Sequence, residues 1–99
     1  MKASEMLQHA ASIVGGQRAV DYGDKTTNHE RIARLWDEWL SGSRALDGQP
    51  GVITAYDVAM MMLLVKVARL MHSPGHPDSH VDIAGYASIL EEIANKESI

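Results

Sequence analysis

Three histidines and two aspartates crowd into the stretch "HSPGHPDSHVD", residues 72–82, with His72, His76 and His80 spaced four apart and Asp78 and Asp82 among them. These side chains are ligand types for zinc or another divalent ion. The spacing does not make a ready-formed site, because Pro74 and Gly75 break the helix that would align His72 with His76. No HExxH-like pair occurs anywhere in the chain. The competing reading is punctuation: a helix stop marked by proline, then a helix start in which Ser79 and Asp82 form a capping box. On the residues alone, metal ligands stay unassigned.

A second set has a clearer chemical direction. Lys66 and Arg69 stand three apart in the otherwise apolar run "DVAMMMLLVKVARL", residues 57–70, so one helix face can offer both to a phosphate or carboxylate. A cation on a packed face is costly without an anion. That anion is either internal (Asp57, Asp82 or Glu30) or a ligand. Asp82 is correspondingly either a cap or a ligand contact. Gly85, beside Tyr86, implies either close helix packing or access to the backbone, since glycine inside a helix costs about 1 kcal/mol relative to alanine. Each of the five aromatic residues carries a polar group; Trp36 and Trp39 read as core, whereas Tyr22 and Tyr86 are candidates for stacking on a base. Nucleophile triads, glycine-rich phosphate loops and dinucleotide fingerprints are absent.

Four helices would have to position these residues. Met6, Leu7, Ala10, Ile13 and Val14 share one face over about 3–14, and Gly15 and Gly16 end that helix. A second is expected over about 27–41 from a capping box of Thr27 and Glu30, with Ile32, Leu35, Trp36, Trp39 and Leu40 as its stripe. "SGSRALDGQPG", residues 41–51, reads as a polar loop. The third spans about 54–72 behind a box of Thr54 and Asp57, and its all-round apolar residues 58–65 mark it as the central element. The fourth covers about 79–96, with Ile83, Ala87, Leu90 and Ala94 on its apolar face. The fold class is all-α: a compact four-helix bundle forming a single domain over 1–99. Met60, Met61 and Met62 either fill its core or adapt to a homo-oligomer contact.

Composition narrows the partners. A net charge of −4 gives no global basic field, which argues against a nucleic acid polymer but leaves room for a small anion in a local pocket. The absence of cysteine excludes disulfides and thiolate metal sites. The longest apolar run, "VAMMMLLV", is far short of a membrane span, and the N-terminal stretch lacks the apolar core of a secretory signal. The expected location is the host cell cytoplasm.

The motifs "DYGD" (21–24), "NHERIARLWDEWL" (28–40), "DVAMMMLLVKVARL" (57–70) and "DSHVDIAGYA" (78–87) resemble, in that order, a family of small phage and prophage proteins of unassigned function similar to the nucleotide-modification-associated domain. The resemblance implies a helical protein in a nucleotide-handling context, with Asn28, Lys66, Arg69, Asp82 and Tyr86 as motif positions. A weaker resemblance is to MazG-type all-α nucleoside triphosphate pyrophosphatases, which bind magnesium through EExxE and ExxD motifs. This chain departs from that pattern: its second helix offers only Glu30, Asp37 and Glu38, and its fourth lacks ExxD. Mg2+ is therefore expected only if the protein is hydrolytic.

The resulting expectation is a small phage-type protein holding a nucleotide or cyclic nucleotide between the third and fourth helices and the "RAVDYGD" loop. Lys66 and Arg69, with Arg18, would hold phosphate; Tyr22 or Tyr86 would stack on the base; Asn28 and Asp82 would meet polar edges. The alternative is an anti-defence interaction protein that binds and inhibits a host protein through its acidic or methionine-rich surface.

Overall fold

The computed structural model describes residues 1–16, 18, 20, 23–45 and 51–97. It is all-α, as expected: α1 (Ala3–Gly15), α2 (Lys25–Ala45), α3 (Ala55–His72) and α4 (Pro77–Glu97), with no strand among the described residues. α3 is central, packing against α2 on one side and α4 on the other. The backbone of α1 stays clear of the other three helices, and only its last turn, Ile13 and Val14, is half-buried. No helix among the described residues is long and apolar enough to cross a membrane.

The core is thin. Among the described residues its buried apolar members are Ile32 of α2, Ala59 and Ala68 of α3, and Leu90 of α4. Two alanines on the central helix let its neighbours approach closely but supply little apolar area, so directional bonds must contribute much of the specificity. Both tryptophans of α2 supply them. The Trp36 indole N–H donates to the Met61 carbonyl at 2.7 Å, and the Trp39 indole N–H donates to Asp57 Oδ1 at 3.1 Å. Trp39 also lies near Tyr56, with ring centroids 6.2 Å apart.

Asp57 is buried, and the start of α3 is built around it. Its Oδ2 accepts from the Thr54 backbone N–H at 2.9 Å and from the Thr54 hydroxyl at 3.0 Å, while Thr54 Oγ1 accepts from the Asp57 N–H at 3.1 Å. The expected capping box is therefore present. It stabilises a buried carboxylate through convergent donors and the positive end of the helix dipole.

The other two expected boxes are not what start their helices. α2 begins at Lys25 because Asp24, a stronger cap than threonine, takes that role. Asp24 Oδ2 accepts from the Thr27 N–H at 2.9 Å and the Thr27 hydroxyl at 3.1 Å, and the Asp24 carbonyl accepts from the Asn28 N–H at 2.9 Å. At its far end α2 continues through Gly42 to Ala45, into the segment expected to be loop; positions 46–50 of that segment lie outside the described residues. α4 begins at Pro77, whose missing N–H costs nothing at a first helical position. His76 caps it, with the Ser79 N–H 3.3 Å and the Ser79 hydroxyl 2.8 Å from His76 Nδ1. Ser79 is the most deeply buried polar side chain among the described residues, and Asp82 is released from capping.

The third helix is packed on two sides rather than all round. Met60 and Met61 are half-buried, whereas Val58 and Met62 remain exposed.

Two outcomes follow from these caps. Asp57→Ala removes both the box and the acceptor for Trp39, and should cost about 2–3 kcal/mol, summing a cap and a buried hydrogen bond. Asp57→Asn, whose one carbonyl oxygen can serve Thr54 or Trp39 but not both, should fall between that variant and the parent in urea denaturation; equal loss from both variants would contradict this division of roles. For Asp24, the Thr27 backbone bond first and its hydroxyl bond second hold the carboxyl below its ordinary value. A depressed folded-state value means that the cap stabilises α2 above the usual carboxylate range and that this contribution is lost as pH falls through the depressed value. The Thr27 amide resonance should titrate with a midpoint below the usual aspartate range of about 3.9, and Asp24→Asn should abolish that titration.

Candidate functional site

The first turn of α2 faces the C-terminal half of α3 across a cavity of about 270 Å3. Lys25, Asn28, His29 and Ile32 come from α2, at the i, i+3, i+4, i+7 spacing that shares one helix face. Val65 and Arg69, one turn apart on α3, form the opposite wall. Val14 from the end of α1, with Arg18 just beyond it, closes a third side.

Gly23 makes the approach to α2 possible. Its φ is +71°, in the left-handed region that favours glycine, and a Cβ there would stand 2.8 Å from the His72 ring. The chain thus enters α2 directly against the last turn of α3, and His72 acts as a packing surface. Asp24, next along, fills the helix N-terminus with its own carboxylate, so anion binding in this cavity would rest on side chains.

The described lining residues carry three cations, Arg18, Lys25 and Arg69, and none of them is a carboxylate. His29 adds a ring whose Nδ1 lies 2.7 Å from the Lys25 carbonyl, a geometry in which Nδ1–H donates and Nε2 remains available. Asn28 is buried at 7% exposure, and its Oδ1 has no hydrogen-bond partner among the described residues. An unpaired buried amide oxygen costs about 1–3 kcal/mol. Beside it, Ile32, Val65 and Val14 give an apolar wall. The arrangement suits a small ligand with an anionic end, a flat apolar body and polar edges.

The residues nominated by sequence divide between two places. Arg18, Asn28 and Arg69 line this cavity. Lys66, Asp82 and Tyr86 line a separate, shallower groove of about 460 Å3 on the α3–α4 face. Lys66 and Arg69 do not converge there, because three residues along a helix turn the side chain far enough for α2 and α4 to separate them. Lys66 Nζ instead pairs with Asp82 Oδ2 at 3.0 Å, with Lys66 mostly buried and Asp82 half-exposed. Gly85 has nothing within 4 Å of where a Cβ would sit, so close helix packing does not account for it. Tyr22 lies outside the described residues.

Sequence reading missed Gly23, Lys25 and His29. Their signal was present: placing the helix start at Asp24 puts Lys25, Asn28 and His29 on one face. The histidines that first drew attention have separate structural settings, with His72 against Gly23, His76 capping α4 and His80 exposed. Among the described residues, no three histidine or acidic side chains gather as a metal ion would require.

Comparison with known proteins places the chain among phage proteins. It is 48% identical over 88 residues to the Gene 55 protein of Mycobacterium phage L5, covering 89% of this chain and 51% of that protein. It is 33% identical over 91 residues to the Gene 55 protein of Mycobacterium phage D29, covering 92% of this chain and 54% of that one. The chain spans about half the length of these curated relatives. No solved structure matches it. Residues 5–94, which include the cavity walls on all three helices, match the domain of unknown function DUF6378, and the chain belongs to that family.

Proposed function

We propose that this protein binds a small phosphorylated nucleotide in the cavity between α2, α3 and the end of α1. The observation that carries the reading is the Asn28 carboxamide, buried with an oxygen unpaired among the described residues, in a cavity whose described lining includes Arg18, Lys25 and Arg69. Arg18, Lys25 and Arg69 hold the phosphate. Asn28, which can present oxygen or NH2 by turning its carboxamide, meets a base edge. Ile32 and Val65 flank the base. The volume lies near the lower end of small-molecule pockets, about 300–1,000 Å3, and favours a mononucleotide or a compact cyclic nucleotide over anything larger.

Retention fits better than MazG-like hydrolysis, which needs convergent carboxylates around magnesium. Here Glu30, Asp37 and Glu38 are exposed, and Asp82 is paired with Lys66. A protein that retains a nucleotide without consuming it can sequester a nucleotide signal during infection, an anti-defence role.

A second reading has its own observation. Val58, Met62, Val81 and Ile89 are exposed on α3 and α4, near the groove that holds Lys66 and Asp82. Such a face fits a protein partner, either a host protein that it inhibits or a second copy of this chain.

The nucleotide reading is tested by calorimetric titration with nucleoside mono- and triphosphates and cyclic nucleotides, with and without magnesium. At least one should bind, and Asn28→Leu should weaken it about tenfold or more, ~1.4 kcal/mol. The same substitution should raise the stability of the unliganded protein by about 1 kcal/mol, since it removes an unpaired buried polar group. Binding of no nucleotide, or a leucine variant that loses stability and keeps its affinity, would overturn the reading. Magnesium-dependent release of pyrophosphate or phosphate would replace retention with hydrolysis.

A further inference from the structure

α1 is held differently from the other helices. It buries no residue, and its apolar face is open, with Met6 58% and Leu7 71% exposed. Its backbone makes no close approach to α2, α3 or α4, which form the body. Only its last turn, Ile13 and Val14, is half-buried. Val14 is a wall of the cationic cavity, and Arg18, four residues further on, is another. The remaining walls belong to the body: Asn28 and Ile32 from α2, Val65 and Arg69 from α3. The cavity is therefore where the end of α1 meets the body.

We infer that the ligand of this cavity is the joint that docks α1, so that occupancy of the site controls the position of an amphipathic helix. This rests on the nucleotide reading given above. A nucleotide seated there touches Val14 and Arg18 on one side and Asn28, Val65 and Arg69 on the other. It bridges two parts of the chain that share little packing of their own. Segments with few buried contacts detach at low free-energy cost, and a ligand that binds only the docked arrangement shifts that equilibrium by mass action. Linkage requires the reverse effect too: whatever detaches α1 weakens the ligand by the same factor.

Hydrogen–deuterium exchange on the full chain tests this, with and without an equimolar mixture of the four ribonucleoside 5′-monophosphates, their triphosphates and their cyclic monophosphates, and with binding followed by calorimetry in parallel. Backbone amides of residues 3–15 should exchange at least about fivefold more slowly with the mixture present, the lower end of ordinary coupling between sites. Val14→Ala should reduce that protection and weaken binding by a matching factor. Calorimetric binding with unchanged exchange in α1 overturns the coupling and leaves the nucleotide reading standing. Protection of α1 that is undiminished in Val14→Ala likewise overturns it. Absence of binding overturns both.

Discussion

The Asp57 carboxylate joins the start of the central helix to the helix beside it. One oxygen closes the cap that starts the central helix, and the other receives the indole N–H of Trp39 from the neighbouring helix. A buried carboxylate is tolerable only where donors replace its lost water, and here they come from two elements at once. That requirement fixes the rotation of α2 against α3, because Trp39 can reach Asp57 from few orientations. Trp36, one turn earlier, repeats the constraint through the Met61 carbonyl. With Ile32, Ala59, Ala68 and Leu90 as the buried apolar residues among those described, such bonds specify what a larger core would specify by shape.

The same fixed rotation aims the first turn of α2 at Arg69 and Val65. Polar groups at the α3 N-terminus are satisfied by convergent donors, whereas Asn28 at the other end of the α2–α3 contact keeps an unpaired oxygen. The contrast within one interface is the basis for treating the second place as a binding site. Proteins tolerate local inconsistency of this kind where function requires it. The Lys66–Asp82 pair shows the opposite outcome, a cation and an anion that satisfy each other across α3 and α4.

Much of the fold was legible in the sequence, because apolar spacing reports helices directly. The box of Thr54 and Asp57 was legible to the residue, being a local pattern with no stronger competitor nearby. Thr27 and Ser79 misled for one reason: in each case another side chain three residues earlier, Asp24 or His76, captured the N–H that the box would have used. That shift of two residues hid the face shared by Lys25, Asn28 and His29. The division of Lys66 from Arg69 was not legible, since it depends on how neighbouring helices partition the surface of α3. Spacing alone shows that two residues lie near one another on a helix, not which neighbour stands between them.

The side-chain amide resonance of Asn28 reports most directly on whether the proposed ligand meets the protein there. On titration with a binding nucleotide, the Asn28 carboxamide signals should shift strongly together with the backbone amides of Ile32 and Arg69, while Gly85 and Tyr86 stay unmoved. Shifts confined to Gly85, Tyr86 and their neighbours, with Asn28 unchanged, would place the ligand in the α3–α4 groove and contradict the account.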